Sequence, residues 1–279
     1  MNNGILLVDK HQGVSSNYIV QFIKKKFSLD KIGHFGTLDP QATGLLVLGL
    51  NKATKLSKFF LNYDKCYLAE ICLGAQTDTD DLEGQIIFSS NEIPSQDNII
   101  KVINSFIGTQ HQTPPVFSAL KHKGKKLYEL ARMGTPVTKE PREINIYDIE
   151  IMEQSFPKCS FKISCSKGTY IRSLARDIGT GLGIGCHLSK LQRLSQGDFR
   201  ISDAKDINNV EMSDLIHIKD AFKGYEKLML SPEDTKKFVN GVGIQCNKGT
   251  KLLRVFSENK FIGLGSIKKD GCIKQEFLV

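Results

Sequence analysis

The stretch KIGHFGTLDPQATGLLVLGL, residues 31–50, carries a single carboxylate, Asp39, in a loop that runs into an apolar strand. Pro40 fixes its own φ angle and biases Asp39 towards an extended conformation, away from any helix. The run LLVL at 45–48 is continuously apolar, which is typical of a fully buried strand. The sequence therefore predicts a carboxylate mounted on the protein core, although an Asp-Pro pair alone also fits an ordinary turn.

Length and charge describe a globular protein with a basic surface. The 279 residues are 40% hydrophobic and 24% charged, which is enough for a large domain with its own core and a smaller second domain. Lysine and arginine exceed aspartate and glutamate by 38 to 30. This excess favours a polyanionic partner, with simple solubility charge as the alternative.

Cysteine usage and hydropathy point to the cytoplasm. The seven cysteines form no C-x-x-C pair, so the sequence indicates neither a disulfide framework nor a zinc site. A reducing compartment fits this usage best. No segment has the pattern of a secretion signal or the length of a membrane span. We therefore expect a soluble cytoplasmic protein.

A protruding basic segment is predicted at residues 112–134, QTPPVFSALKHKGKKLYELARMG. Two prolines open it, and a helix that stops at Gly134 closes it. Between them lies a basic cluster around a histidine and a glycine: Lys121, His122, Lys123, Gly124, Lys125 and Lys126. Basic residues interleaved with an aromatic suit a looped or single-stranded RNA, and a solvated loop is the alternative.

Two segments invite a ligand-site interpretation that their spacing argues against. The run DTDDLEG, residues 78–84, has its glycine too late for a calcium loop, so we predict a hairpin turn there. The glycines of residues 179–185 alternate and follow a helix, whereas those of a dinucleotide loop precede one. A helix stop and a turn are the prediction for this second segment.

Two further polar side chains stand where a strand and a helix begin. Residues 65–77, KCYLAEICLGAQT, alternate as a strand with Tyr67 at the entry of one face. Residues 166–169, SKGT, lead into a helix for which Thr169 is the predicted N-cap. Arg172 then lies in the first turn, where the helix dipole disfavours a cation, which suggests a carboxylate partner elsewhere. By default Tyr67 is a core aromatic and Arg172 belongs to a structural salt bridge.

These segments together resemble the motifs of the TruB-type tRNA pseudouridine synthases, which isomerise uridine 55 in the T arm of tRNA. The likeness is carried by four stretches that span most of the chain, at residues 33–44, 65–84, 112–134 and 165–194. The K-x-x-G-x-S-S pattern of residues 10–16 is similar as well, but His11 stands where the family usually has proline.

The resemblance implies an active site built from three residues. Asp39 matches the indispensable aspartate, which attacks or electrostatically supports the ribose, and Arg172 matches the arginine that holds it. Tyr67 matches the tyrosine expected to stack on the detached uracil and to assist proton loss from C5. His34 is the candidate wedge for the space that a flipped base vacates. The remaining substrate-binding residues implied are Lys10, Tyr170, Leu191, Lys121, Lys125 and Lys126.

The fold implied is α/β, a mixed and mainly antiparallel sheet flanked by helices. We expect a catalytic domain over residues 1–230, with an RNA-gripping insertion near 112–140, and a small PUA-like β domain over 231–279. A merely structural β extension is the alternative for the last part. The expected partner is the T stem-loop of tRNA, bound by a monomer that needs neither a metal nor an organic cofactor.

The chemistry explains why one carboxylate suffices. Pseudouridine formation breaks the bond between ribose C1′ and uracil N1 and rejoins the sugar at C5, so no water has to be activated. Glycoside hydrolases normally need a second acidic group for that task. Two alternatives stay open at this point: a noncatalytic tRNA-binding or folding chaperone on the same fold, and a nucleoside or glycoside hydrolase.

Overall fold

The computed structural model describes residues 2–249 and 251–279. A mixed eleven-stranded sheet forms the body of the protein, and a five-stranded sheet forms its C-terminal part. Helices flank the large sheet, so the predicted α/β class with a mixed sheet and a small C-terminal β part is confirmed. None of the helices in these residues is both long and apolar enough to cross a membrane.

The strands, in chain order, are β1 (Gly4–Lys10), β2 (Ile32–His34), β3 (Thr43–Leu50), β4 (Lys65–Leu73), β5 (Ala75–Thr77), β6 (Ile86–Ser89), β7 (Gly108–Gln112), β8 (Lys121–His122), β9 (Lys125–Lys126), β10 (Arg142–Ser155), β11 (Lys158–Cys165), β12 (Cys186–Gln196), β13 (Phe199–Arg200), β14 (Lys205–Asp206), β15 (Ile216–His217), β16 (Lys227–Met229), β17 (Ile244–Gln245), β18 (Leu252–Ser257), β19 (Lys260–Ile267) and β20 (Cys272–Leu278).

The α-helices are α1 (Ser16–Lys26), α2 (Ser57–Phe60), α3 (Gln96–Asn104), α4 (Leu127–Arg132), α5 (Ile171–Leu182), α6 (Ile218–Ala221) and α7 (Pro232–Val239). Short 3₁₀ turns lie at Asn51–Leu56, Ile201–Asp203 and Met212–Asp214.

The large sheet runs in the order β14-β1-β3-β12-β4-β11-β10-β7, with β2, β13 and β15 attached at its sides. Among the described residues, the parallel strand pairs of this sheet are β1–β14 and β3–β12, so the sheet is mainly antiparallel. Strand β3 lies between β1 and β12, and residues 44–50 are all buried, as the apolar run predicted. Strand β12 is therefore the strand that separates β3 from β4.

Two packed layers cover the sheet. Helices α3 and α5 lie against the face that β4, β10 and β11 turn inwards, where Ile103, Leu174 and Phe161 are almost fully buried. Helix α1 packs against β1 and β3 in a second cluster that includes Ile19 and Ile23. Helices α3 and α5 therefore pack on the part of the sheet formed by β4, β10 and β11, and α1 packs on β1 and β3.

The C-terminal sheet has the order β16-β18-β19-β20-β17. Two of its side chains, Leu264 and Phe277, pack in the same cluster as Phe222 and Phe60 of the preceding part. Strands β18 and β19 lie within residues 231–279, the part for which a small β domain is expected. The five-stranded sheet thus shares an aromatic core with the large sheet.

Candidate active site

The loop between β2 and β3, which carries Asp39, is fixed first by side chains of strand β12. The Nε2 of Gln196 donates to the carbonyl of Phe35 at 2.6 Å. The guanidinium of Arg193 donates to the next two carbonyls, Gly36 at 3.2 Å and Thr37 at 2.9 Å. Both donors are buried, so the approach to Asp39 is held from within the protein.

The following carbonyls of the loop are held from the N-terminal segment. The Ser16 hydroxyl contacts both the carbonyl and the N–H of Leu38, each at 2.9 Å. The Lys10 ammonium donates to the Pro40 carbonyl at 3.0 Å. The Asp39 carbonyl closes a turn by accepting from Ala42 N–H at 3.1 Å. Each carbonyl from residue 35 to residue 40 therefore has a donor, which makes this loop a preorganised platform.

Arg172 meets the Asp39 carboxylate as the sequence led us to expect. Its Nη2 donates to Asp39 Oδ1 at 3.3 Å, and its Nε lies 2.9 Å from Oδ2 as an ion-pair contact outside hydrogen-bond alignment. The Arg172 side chain is 6% exposed, whereas that of Asp39 is 42% exposed. A buried cation therefore holds a carboxylate that still faces solvent.

Arg172 also joins two other parts of the chain. Its Nη1 donates to the Thr79 carbonyl at 3.2 Å, and its Nε lies 3.7 Å from Asp81 Oδ2. Its Nη2 donates to the Phe117 carbonyl at 2.9 Å. The same guanidinium thus connects the Asp39 loop, the acidic segment 78–84 and the start of the basic insertion.

The local start of helix α5 differs from the sequence prediction. The N-cap is Tyr170, and the predicted cap Thr169 instead donates its hydroxyl to the Ser166 carbonyl at 3.0 Å. The Tyr170 backbone is held by Gln112, which accepts from its N–H at 2.8 Å and donates to its carbonyl at 3.0 Å. Arg172 lies in the first turn nevertheless, and its acceptors Asp39, Asp81 and two carbonyls offset the helix dipole.

Tyr67 lies on β4, directly across from Arg193 of β12. Its ring packs in the cluster that contains Leu38 and Ala42 of the Asp39 loop. Burial raises the pKa of the Tyr67 hydroxyl, and the nearby charge and hydrogen-bonding contact of Arg193 oppose that rise. Tyr67 is therefore a neutral phenol beneath the loop.

A cleft opens where these elements meet. It is lined by residues of the Asp39 loop, of the acidic hairpin, of helix α5 and of strand β12: Asp39, Gln41, Ala42, Asp81, Leu82, Arg172, Leu188, Ser189, Lys190 and Leu191. Tyr67 is not part of the exposed lining, because the ring is buried below it. The structure thus brings together Asp39, Arg172 and Leu191, with Tyr67 in the adjoining core.

Lys10 ends β1 and bonds to the Pro40 carbonyl of the loop, and His34 ends β2 directly before the loop. Lys10 is fully buried and donates to two backbone carbonyls, and burial lowers its pKa to about 8 while the Asp39 charge opposes that shift. This placement favours a positioning role over direct contact with a substrate. His34 ends β2 with its Nδ1 buried and without a hydrogen-bond partner. Burial, and then the charge of Arg193, lower the His34 pKa, so the imidazole is neutral at pH 7.

The remaining predicted binding residues are not part of the cleft lining. Tyr170 stacks against the guanidinium of Arg142, 4.8 Å from its ring centroid. Lys121, Lys125 and Lys126 lie on the short β8–β9 hairpin, whose turn has positive φ angles at its two central residues. The side chains of Lys121 and Lys125 are exposed, and the Lys126 ammonium lies 3.2 Å from the Tyr128 hydroxyl. These lysines make no contact with Asp39 themselves.

Sequence reasoning missed a second ion pair of helix α5, formed by Arg176 beside Arg172. Arg176 lies 3.0 Å from Asp80 and donates to the Thr113 carbonyl at 3.0 Å. Burial raises the Asp80 pKa to about 6, against the lowering effect of Arg176 and Arg172. The sequence signal for this pair was the run of acidic residues in 78–84. Its spacing does not fit a metal site, so these acidic side chains needed basic partners instead.

The acidic segment is a hairpin loop, as predicted. Strands β5 and β6 flank it and pair antiparallel. No group of acidic, histidine or cysteine side chains in residues 2–249 and 251–279 is arranged to hold a metal ion. Two carboxylates of this loop, Asp80 and Asp81, lie against Arg176 and Arg172 of helix α5.

The comparison with protein-family models decides what this arrangement belongs to. Residues 24–171 match the N-terminal domain of the TruB family pseudouridylate synthases, and residues 227–279 match the TruB C-terminal domain of pseudouridine synthase II. The chain belongs to the TruB family. The first match covers the Asp39 loop, the acidic hairpin, the basic insertion and the start of α5.

Individual TruB relatives cover nearly the whole chain. The tRNA pseudouridine synthase B of Clostridium tetani is 40% identical over 280 residues, covering 96% of this chain and 97% of the relative. That of Syntrophotalea carbinolica is 41% identical over 271 residues, covering 91% and 88%. Among solved structures, an H/ACA RNP bound to a substrate RNA containing 2′-deoxyuridine superposes with a TM-score of 0.73 at 22% identity, covering 99% of this chain and 85% of that chain. This last likeness shows a shared fold.

Proposed function

We propose that this protein converts uridine to pseudouridine in tRNA, at position 55 of the T arm. The observation that carries the proposal is the half-exposed Asp39 carboxylate, paired with the buried Arg172 on the wall of a cleft. Membership of the TruB family supports the reaction class, and the relatives named as tRNA pseudouridine synthase B support tRNA as the substrate.

Asp39 is the group that meets the ribose. Cleavage of the C1′–N1 bond develops positive charge on the sugar, and a fixed carboxylate stabilises or traps that charge. Arg172 keeps Asp39 oriented without covering it, since 42% of the Asp39 side chain stays exposed. A preorganised charge of this kind requires no rearrangement when the bond breaks.

Tyr67 and Leu191 act on the base. The Tyr67 ring stacks on the detached uracil, and its hydroxyl assists proton loss from C5 after the sugar has moved there. Since Tyr67 is buried under the loop, the side chains above it must part to admit a base. Leu191 lines the cleft and shapes the wall against which uracil packs.

The substrate uridine has to leave its stack before it reaches this cleft. Flipping a nucleotide costs roughly a few kcal/mol, least where the base is already in a loop. His34 fills the vacated space as a neutral imidazole, and Lys121, Lys125 and Lys126 grip the T loop through its phosphates. All of these groups come from a single chain, so a monomer suffices.

We also propose that the chain divides near residue 230 into a catalytic domain and a small β domain that contacts tRNA. The separate family match of residues 227–279 and the separate five-stranded sheet support this division. The basic insertion, near 112–140, belongs to the catalytic domain.

One observation favours a hydrolase as the second candidate. Asp81 also lines the cleft, so two carboxylates flank Arg172. Asp81 is already occupied, however, because its Oδ1 accepts from Thr79 Oγ1 at 2.6 Å and from Glu83 N–H at 3.0 Å. Asp39 is left as the carboxylate with a free face, which suits a rearrangement better than activation of water.

The decisive experiment incubates the purified protein with unmodified tRNA transcripts and maps pseudouridine at single-nucleotide resolution. We expect one modified site, uridine 55, and no free uracil. Asp39→Asn should abolish the product and keep tRNA affinity, whereas Asp97→Asn, at an exposed aspartate of α3, should leave both unchanged. Free uracil would establish the hydrolase, and tRNA binding without product would establish the chaperone.

A further inference from the structure

Arg193 is a buried charge at the junction of the two strands that serve the site. It lies on β12, in register with Gly44 of β3 on one side and with Tyr67 of β4 on the other. Strand β3 begins at the end of the Asp39 loop, and β4 carries Tyr67. Arg193 therefore pairs with the strand that carries Tyr67 and with the strand that follows the Asp39 loop.

The contacts of Arg193 reach across the loop. Besides the carbonyls of Gly36 and Thr37 ahead of Asp39, its Nη1 donates to the carbonyl of Leu45 after it, at 3.3 Å. The guanidinium carbon lies 5.7 Å from the centroid of the Tyr67 ring. One planar group thus ties both ends of the loop to the phenol.

The placement is costly and closely fitted. Arg193 is 2% exposed, and no carboxylate in residues 2–249 and 251–279 forms a salt bridge with it. A buried charge without a counter-ion destabilises a protein unless hydrogen bonds compensate for the lost water. The backbones also lie too close for a side chain at Gly44, the β3 residue paired with Arg193. A Cβ there would lie 2.4 Å from the Arg193 carbonyl oxygen.

We propose that Arg193 is a positioning residue for the reaction, which fixes the Asp39 loop and the Tyr67 ring in one geometry. This inference rests on the proposed function for its catalytic consequence. A rigid fork is needed, because three carbonyls at different points must be reached from one side chain. A lysine at this position keeps the charge but reaches only some of the three carbonyls.

The test compares Arg193→Lys with the parent, and with a matched control, Arg200→Lys, at the exposed residue of the neighbouring strand β13. With saturating tRNA, Arg193→Lys should lower the single-turnover rate by roughly a hundredfold, the size of effect that a misplacement of about 1 Å can have. Its tRNA Kd should stay near that of the parent, and the rate loss should persist at temperatures well below its melting temperature. Arg200→Lys should change none of the three.

A second measurement needs no activity. Hydrogen–deuterium exchange of the free protein should rise in peptides covering residues 35–45 and 65–69 of Arg193→Lys, and stay unchanged in the C-terminal sheet.

An Arg193→Ala protein should recover part of its rate when guanidinium ion is added, whereas urea should have no such effect. Arg193→Ala removes both the planar fork and the charge, whereas Arg193→Lys removes only the fork. Comparing the two variants therefore separates loss of the fork from loss of the cation.

Several results would overturn the proposal. These are a parent-like rate in Arg193→Lys, exchange that rises uniformly over the chain, or a rate loss that follows the unfolded fraction as temperature changes. A parent protein that makes no pseudouridine would instead refute the proposed function. In that case, the exchange of residues 35–45 and 65–69 still decides whether Arg193 fixes the two segments together.

Discussion

Replacing Arg172 by lysine is the sharpest perturbation of the proposed site. The wild-type guanidinium serves two carboxylates and two carbonyls: Asp39, Asp81, Thr79 and Phe117. A lysine keeps the positive charge, but its single ammonium cannot reach all four acceptors from the same Cα. Asp39 therefore keeps a cation nearby and loses its orientation.

The expected magnitude follows from exposure and alignment. Loss of one aligned donor at a reacting centre costs about 2.7 to 4 kcal/mol of activation free energy. Arg172→Lys should cost less, because the charge is retained and because Asp39 is 42% exposed and partly screened by solvent. We take about 2 to 3 kcal/mol, which corresponds to a rate reduction of roughly 30- to 150-fold.

The assay is single-turnover release of tritium from tRNA labelled at C5 of uridine, with enzyme in excess. Rates are measured for Arg172→Lys, for Arg172→Ala and for Arg200→Lys as the exposed control, together with the melting temperature of each. Arg172→Ala should be slower than Arg172→Lys, because it leaves two carboxylates beside each other without a cation. A parent-like rate in Arg172→Lys, or a loss explained by the unfolded fraction, would refute the clamping role.

Three further predictions test other features of the structure. Gly44→Ala should lower the free energy of unfolding by about 1 to 3 kcal/mol in urea titrations, since Gly44 has φ +96° and no room for a Cβ, whereas Gly33→Ala meets no atom within 4 Å and should have little effect. Lys121→Ala with Lys125→Ala should weaken tRNA binding and lower the slope of log Kd against log salt by about 2, with the rate at saturation unchanged. Asp80 has a pKa raised from 3.8 to about 6 in the folded protein, so its contribution to stability is present below pH 4 and is lost as the pH rises through 6. Urea unfolding across this window should therefore favour Asp80→Asn over the parent increasingly as pH rises, and a constant difference would contradict the assignment.

The sequence predicts the parts of the site that depend on local pattern. The apolar run after Asp39 predicts the buried strand β3, and the position of Arg172 in a first helical turn predicts a carboxylate partner. The predicted N-cap of helix α5 was wrong, because the Thr169 hydroxyl donates to the Ser166 carbonyl instead. The true cap, Tyr170, is fixed by Gln112, which lies 58 residues earlier in the chain. Long-range hydrogen bonds of this kind leave no periodic signal in the sequence.

Arg193 shows the same limit more strongly. In the run LQRL, residues 191–194, an arginine between apolar residues is typical of a strand with one solvated face. Its acceptors are backbone carbonyls 148 to 157 residues earlier in the chain, and every residue type has a carbonyl. Because the partners carry no side-chain identity, no motif could have predicted that this charge is buried.

The two halves of the proposed site differ in how they are held, and the difference matches what each has to do. The Asp39 loop has a donor on each carbonyl from 35 to 40, supplied in part by Lys10, Ser16, Arg193 and Gln196, all of them buried. Lys121 and Lys125 of the β8–β9 hairpin are exposed, and Lys126 donates to the Tyr128 hydroxyl of its own segment. Chemistry at C1′ needs a carboxylate whose position is set before the substrate arrives, whereas an RNA loop is gripped best by a segment that can adapt to it. Arg172 joins the two, since its guanidinium bonds to Asp39 and to the Phe117 carbonyl at the start of the insertion.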